Sequence, residues 1–167
     1  TTQGSVPTNA MVVYHTYNTN AVPVPDDSGN GWTGTVQGAA VWMSSGKLGG
    51  AYSFDGADDY IESSTADVLG SNADKTVAMW VYVRGIQSSD RIFTKNKSSS
   101  VLGYSFCQDG SGGNVTAIFN DGVEMRESFT TVSQSNWNHL AATYSETGAT
   151  VTCYLNGIQV SGSTTPT

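Results

Sequence analysis

The sequence predicts an all-β protein folded as a two-sheet antiparallel sandwich, and three observations support this. Apolar and polar residues alternate with a period of two along much of the 167-residue chain, as expected of half-buried strands. Turn residues interrupt the alternation at nearly regular intervals, and the chain contains 19 glycines. No segment carries a helical pattern. About ten strands in a single domain over residues 1–167 follow from this pattern.

The N-terminal third contains four predicted elements. They are a first strand "MVVYHTY", a loop "PDDSGNGWTG", an edge-type segment "TVQGAAVWM" and a hairpin "GGAYSFDGADDYIES". The Asp-Gly pair inside the last segment is a frequent hairpin turn, so its two halves are expected to pair with each other.

The strongest strand signal follows in "KTVAMWVYVRG". Both of its faces are apolar, which predicts a strand at the centre of a sheet. Further strands are predicted in "RIFTKN", "GYSFCQD", "NVTAIFNDG" and "EMRESFTTV", and a final hairpin in "NWNHLAATYSETGATVTCYLNGIQV". Residues 161–167, "SGSTTPT", are predicted to be a linker-like tail.

Charge excludes two classes of partner. The formal net charge is −7, from 14 acidic and 7 basic residues, and no cluster of lysine or arginine could follow a phosphate backbone or an anionic lipid surface. The longest apolar runs are too short to cross a bilayer, and no leader precedes Thr1. We therefore expect no nucleic acid and no membrane insertion, and a chain that is either processed or excised from a longer one.

Low charge and many Thr, Ser and Asn residues suit an extracellular, cell-surface or virion location. The two cysteines, Cys107 and Cys153, could pair, but alternation places Cys107 opposite the aromatic face of its strand and Cys153 beside apolar neighbours. Buried free thiols are the alternative.

Four segments together resemble the laminin-G-like jelly-roll modules of the concanavalin A-like lectin/glucanase superfamily. They are "DDSGNGWTGTVQGAAVW", "GKLGGAYSFDGADDYIE", "TVAMWVYV" and "WNHLAATYSETGATVTCYLNG", and the similarity spans roughly residues 11 to 160. The resemblance implies two stacked antiparallel sheets, one of them curved, in a module that often binds carbohydrate or protein and sometimes calcium.

Two departures from these modules bear on assembly. Such modules usually continue past the "YLNG" hairpin with further strands, whereas this sequence stops at Thr167, so the fold is expected to lack its last strands. An open edge invites strand addition, from a neighbouring domain or a second copy. In addition, the disulfide of the related pentraxins would fall on Ala78 and Ala141, so that bridge is absent.

Calcium is the cofactor that the acidic loops suggest. Asp55, Asp58 and Asp59 supply the hard oxygen ligands that Ca²⁺ prefers, although a turn that needs Asp and Gly for its backbone geometry explains the same residues. The resemblance also implies a calcium loop on Asp26, Asp27 and Asn30. Its usual partner would come from the late strand that this chain lacks, and a solvated turn is the alternative there.

Carbohydrate binding is predicted through aromatic rings, on which sugars stack their apolar faces. Trp80 and Tyr82 share one face of the strongest strand, although large aromatics flanked by Val and Met are often core residues. Trp32 lies in a glycine-rich loop and is predicted to be an exposed platform. The resemblance assigns Trp137 a structural role.

Catalysis is not expected. Glycosidases of this superfamily place paired carboxylates on one strand face, whereas Glu124 and Glu127 should point to opposite sides of their strand. His15 and His139 lack spacing suited to zinc or to a nucleophile partner. The leading hypothesis is a non-catalytic carbohydrate-binding or adhesion module. The alternative is a structural or decoration subunit of a virion, filament or extracellular layer that assembles through exposed strand edges.

Overall fold

Twelve β-strands and no helix form the regular structure of the residues that the computed structural model describes, namely 11–63, 73–85, 90–95, 103–108, 114–129 and 132–163. The all-β prediction is confirmed. The strands are β1 (Gly34–Gln37), β2 (Val41–Met43), β3 (Ala51–Ser53), β4 (Tyr60–Ser63), β5 (Lys75–Tyr82), β6 (Arg91–Lys95), β7 (Gly103–Gln108), β8 (Val115–Asn120), β9 (Glu124–Phe129), β10 (Trp137–Ser145), β11 (Thr150–Leu155) and β12 (Ile158–Ser163).

The chain divides into two compact units, Thr1–Leu69 and Gly70–Thr167. The prediction of a single domain over residues 1–167 stays a prediction. In the predicted linker-like tail, residues 161–163 instead form the end of β12, because they pair with β11. Residues 164–167 lie outside the described part of the chain.

The second unit is a sandwich of two four-stranded antiparallel sheets. Sheet I has the order β12-β11-β10-β5, and sheet II has the order β6-β7-β8-β9. Their inner faces meet where the Phe119 ring stacks on the Tyr144 ring, 5.5 Å between centroids and 10° between planes. The Ser161 hydroxyl also donates to the Ser128 carbonyl across the sheets at 2.9 Å. The predicted two-sheet packing is thereby confirmed.

Fully buried side chains from both sheets fill the interior of this sandwich. Their period of two along each strand follows from the alternation of strand side chains, and burying them supplies the main favourable term in folding. They include Phe106, Ala117, Phe119, Met125, Phe129, Leu140, Ala142, Val151 and Cys153.

The position of β5 differs from the prediction. Among the described residues it pairs with β10 alone and lies at the edge of sheet I, not at its centre. Its inner face is buried at Val77. The apolar residues on the other face, which suggested burial on both sides, include Trp80 and Tyr82, exposed by 39% and 44%.

In the first unit, the predicted hairpin over residues 49–63 is wrong. Its halves form β3 and β4, but β3 pairs with β2 and β4 pairs with β1. A turn closed by the Gly46 N–H on the Gly49 carbonyl reverses the chain between β2 and β3. The hairpin therefore forms at the turn before the Asp55-Gly56 pair. The turn that contains Asp55, Asp58 and Asp59 connects β3 to β4, which belong to different strand pairs.

The predicted first strand is also absent, since residues 11–17 are not in a strand. The Tyr14 N–H donates to Asp26 Oδ1 at 2.9 Å. The Thr16 N–H faces Asp27 Oδ2 at 3.4 Å. Side-chain carboxylates thus accept the donors that a sheet ladder would have used.

Candidate functional site

Four aromatic side chains lie together on the outer face of the ladder between β5 and β10. The register places Trp137 opposite Tyr82 and His139 opposite Trp80. The Trp80 and His139 ring centroids are 5.1 Å apart, and those of Tyr82 and Trp137 are 5.7 Å apart at 71°. We call Trp80, Tyr82, Trp137 and His139 the aromatic platform.

The backbone of β10 fixes which way these rings point. Trp137 and His139 alternate with Asn138 and Leu140, which are 1% and 0% exposed, so the two rings lie on the face opposite the core. The Asn138 amide donates to the carbonyls of Ser133 and Asn136 at 2.8 and 3.0 Å. A buried, hydrogen-bonded asparagine therefore holds the start of β10 in place.

The turn between β11 and β12 holds the other end of the platform. The His139 N–H donates to Asn156 Oδ1, and the Asn156 N–H donates to the His139 carbonyl, both at 2.9 Å. Partial burial lowers the pKa of His139, so its ring is neutral at pH 7.

Trp32 belongs to the first unit and is half-buried. Its backbone N–H donates to Asp26 Oδ2 at 2.9 Å. The structure therefore brings Trp80 and Tyr82 together on β5, whereas the binding role of Trp32 stays a prediction.

Asp26 organises the loop that holds Trp32. Its carboxylate accepts four hydrogen bonds, from the N–H groups of Tyr14, Ser28 and Trp32 and from the Ser28 hydroxyl, at 2.8 to 3.0 Å. Burial alone would raise the pKa of Asp26, but these hydrogen bonds outweigh it and hold that pKa well below its usual range. A carboxylate has about four lone-pair positions, so Asp26 has no acceptor position left for a cation.

The other two predicted ligands of this loop bind the segment before it. Asp27 Oδ2 accepts the Thr16 hydroxyl at 2.6 Å. The Asn30 amide donates to the carbonyls of Met11 and Val12 at 2.9 and 3.0 Å. The polar side chains of this loop therefore hydrogen-bond to residues 11–16 and hold that segment in place. These contacts explain why the loop carries them.

Asp55, Asp58 and Asp59 form the acidic cluster. One carboxylate oxygen from each lies within 4.8 Å of the others. Asp59 accepts the N–H groups of Ala39 and Asp55. The Ala57 N–H is the main reason why the pKa of Asp55 is lowered, and it donates to Asp55 Oδ1 at 2.8 Å.

Gly38 allows β1 to approach this cluster. Its φ is +70°, and a Cβ there would lie 2.5 Å from Asp59 Oδ1. Any larger residue would therefore push the chain away from Asp59. The cluster is a well-built turn that also gathers three carboxylates, so the turn and ligand interpretations both fit it.

A family model named Laminin_G_3, from the concanavalin A-like lectin/glucanases superfamily, matches residues 55–167. The chain belongs to this family. The resemblance stated from the sequence motifs is thereby confirmed.

Two of the solved structures that match are similar to this chain in fold. One is domain 4 of AbnA, an extracellular GH43 arabinanase from Geobacillus stearothermophilus, in complex with arabinotriose. It is 23% identical to this chain, with a TM-score of 0.64. The match covers 80% of this chain and 66% of that chain. An S-layer domain-containing protein from Clostridium thermocellum is 24% identical with a TM-score of 0.55, over 92% of this chain and 72% of the other. No curated protein matches.

The remaining candidate residues of this Laminin_G_3 chain have structural contacts. Glu124 pairs with Arg126 Nε at 2.6 Å, and the His15 ring lies 2.8 Å from the Pro25 carbonyl. Cys107 and Cys153 are buried free thiols. No helix in the described residues is long and apolar enough to cross a membrane.

Sequence reasoning missed half of the aromatic platform. Trp137 was expected to be structural, and His139 was considered as a zinc ligand or as a partner of a nucleophile. The available signal was that "WNH" repeats the aromatic spacing of "WVY", since each carries rings two residues apart. Strands that carry such pairs can align them as cross-strand partners.

Proposed function

We propose that this chain is a non-catalytic, extracellular or surface-located module that binds carbohydrate through the aromatic platform. The observation that carries the proposal is that Trp80 and Tyr82 are exposed by 39% and 44% while His139 and Trp137 hold them by ring contacts. Large aromatic side chains are seldom left exposed next to one another without a binding role.

The chemistry of the platform suits a sugar. The C–H faces of a sugar ring pack on aromatic rings, and its hydroxyls need nearby donors and acceptors. The Tyr82 hydroxyl and the His139 ring nitrogens supply such groups. Because cross-strand partners fix the rings before the ligand arrives, little side-chain entropy is lost on binding.

The two similar structures support this proposal as analogies of fold. One is a domain of an extracellular enzyme solved with arabinotriose, and the other comes from an S-layer protein. Both suggest a location outside the cell. Fold likeness alone does not assign function, so the platform is the part to test.

The absence of catalysis is part of the proposal. A glycosidase needs a general acid whose pKa is raised, beside a second carboxylate. The pKa values of Asp26 and Asp55 are lowered instead, despite the opposing effect of burial. Glu124 is paired with Arg126 Nε at 2.6 Å.

A glycan array followed by titration calorimetry tests the proposal. We expect Trp80→Ala and Tyr82→Ala to lower affinity for any glycan found by about tenfold each, the loss of one stacked ring. Tyr60→Ala is the matched control, since Tyr60 is 52% exposed and lies outside the platform. Equal binding by all the variants would reject the platform, and loss only in Trp32→Ala would assign binding to the loop.

We also propose calcium binding at the acidic cluster. Three carboxylates with oxygens within 4.8 Å of one another match the hard oxygen ligands of Ca²⁺. Asp58 and Asp59 have lone pairs beyond the hydrogen bonds described above, unlike Asp26. Asp55, Asp58 and Asp59 would hold the ion, and its effect there would be to stabilise the turn.

A structural role in a surface layer is the second candidate. Among the described strands, sheet I ends on β5 and β12 and sheet II ends on β6 and β9. Ile158 on β12 is 70% exposed, and an edge with exposed apolar residues favours strand addition. Light scattering against protein concentration tests this role, and a monomer at all concentrations would reject it.

A further inference from the structure

Sheet I contains a single formally charged residue. Within β5, β10, β11 and β12 that residue is Lys75. Its side chain is 2% exposed and paired with Asp121, so it does not reach the platform face. The pKa of His139 is lowered by burial, so this ring adds no charge at pH 7.

Hydroxyls and small side chains extend the platform face along the strands. Ala78, Ala141 and Tyr154 are aligned across β5, β10 and β11, and Thr76, Thr143 and Thr152 form the next row of partners. Directly paired residues lie on the same side of a sheet. From Tyr82 to Thr76 the face runs for about 20 Å, which suits an oligosaccharide segment better than one terminal sugar.

Resting on the carbohydrate-binding function proposed above, we propose that this face takes an uncharged polysaccharide chain, held by ring stacking and hydroxyl hydrogen bonds and without a bridging cation. A glycan carrying carboxylates or sulfates would have to desolvate them against strands that carry no exposed cation. The formal net charge of −7 adds long-range repulsion of polyanions. With no carboxylate on the face, a metal ion has no ligand through which to bridge sugar and protein.

Arg84 provides a direct check on the ligand class. It is exposed and lies two residues beyond the end of β5 at Tyr82, so it is the cation nearest in sequence to the platform. Binding of an uncharged chain should not depend on it.

Affinity electrophoresis of the whole chain tests the proposal. The gels contain unsubstituted xylan, linear arabinan or hydroxyethyl cellulose as uncharged probes, and polygalacturonate or heparin as anionic probes. We expect at least one uncharged probe to slow the protein, with affinity changing less than about twofold between low and high salt and not at all with EDTA.

Trp80→Ala should weaken retention about tenfold, with Tyr82→Ala as the second variant should the first not fold. Arg84→Ala and Tyr60→Ala should leave it unchanged.

The outcomes separate this inference from the function on which it rests. Retention by polygalacturonate or heparin that depends on Trp80, Arg84 and low salt would overturn the uncharged ligand and keep the carbohydrate-binding function. Retention that EDTA abolishes would overturn the cation-free mode. No retention by any probe, with self-association blocked by Trp80→Ala, would overturn both and assign the platform to protein contact.

Discussion

Lys75 Nζ lies 2.5 Å from Asp121 Oδ2, and the two side chains are only 2% and 6% exposed. Lys75 begins β5 in sheet I and Asp121 lies in the turn between β8 and β9 in sheet II, so the ion pair joins the two layers of the sandwich. The same ammonium lies 4.9 Å from the centre of the Tyr144 ring, which adds a cation–π contact.

Removing one partner of this pair should be costly. We expect Asp121→Ala to lower the free energy of unfolding by about 3–5 kcal/mol, because it leaves a buried ammonium without its counter-charge. Urea unfolding measures the change. Glu124→Gln is the control, since the Glu124–Arg126 pair is 21% and 33% exposed and such pairs contribute less than about 1 kcal/mol. Similar losses in both variants would contradict this account.

Asp26 should make stability depend on pH. Its pKa is held low by hydrogen bonds that outweigh the opposing effect of burial. Because the folded-state pKa lies below the unfolded value of about 4, ionised Asp26 stabilises the fold above that pH. This stabilisation is lost as pH falls through the folded-state pKa. Thermal unfolding from neutral to acidic pH should therefore show a steeper acid decline in the wild type than in Asp26→Asn.

The same substitution should also destabilise the loop near neutral pH. An amide in place of the Asp26 carboxylate presents donors to N–H groups, and we expect a loss of about 1–3 kcal/mol. Asp58→Asn is the control, since no hydrogen bond that organises the Trp32 loop involves it. Parallel pH profiles for wild type and Asp26→Asn would show that other carboxylates set the acid limit.

Calcium should raise the melting temperature through the acidic cluster. A ligand that binds only the folded state stabilises it by mass action, so Ca²⁺ should increase Tm and EDTA should reverse the increase. Asp58→Asn should remove the response, while Asp27→Asn should retain it if the cluster is the site. A Tm that does not respond to either reagent would reject calcium at Asp55, Asp58 and Asp59.

The two thiols should resist modification in the native protein. Cys107 and Cys153 are buried and free, and burial is the main reason why the pKa of Cys153 is raised to about 12. The reactive thiolate of Cys153 is therefore scarce at neutral pH, and burial shields both sulfurs from the reagent. Iodoacetamide should label neither cysteine before unfolding and both after it, as read by mass spectrometry. Rapid labelling of the folded protein would contradict the buried placement.

Seven of the eight strands of the second unit were largely predictable, because alternation reflects a core that covers one face of most of them. The end of β12 was instead expected to be a tail. The position of β5 was not predictable. Trp80 and Tyr82 made both faces of β5 apolar. The pattern of apolar residues along a strand does not by itself distinguish a buried face from an exposed aromatic surface. In the first unit, the side chains of Asp26 and Asp27 accept backbone donors from residues 14 and 16, so the sequence signal of a strand was outweighed by local capping.

The aromatic platform was half predictable for a related reason. Trp80 and Tyr82 share a strand face by simple alternation, and the sequence alone suggests them. Their contacts with His139 and Trp137 depend on the register between β5 and β10, which joins residues more than fifty positions apart in the chain. Cross-strand register over such separations is set by the packed core and not by local pattern.

Asn156, in the left-handed conformation at φ 53°, is hydrogen-bonded in both directions to the backbone of His139. A shift of β10 by one position would turn its rings inward and its aliphatic side chains to solvent. Sequence variation at this turn can therefore rearrange the aromatic platform while Trp80, Tyr82, Trp137 and His139 all remain the same.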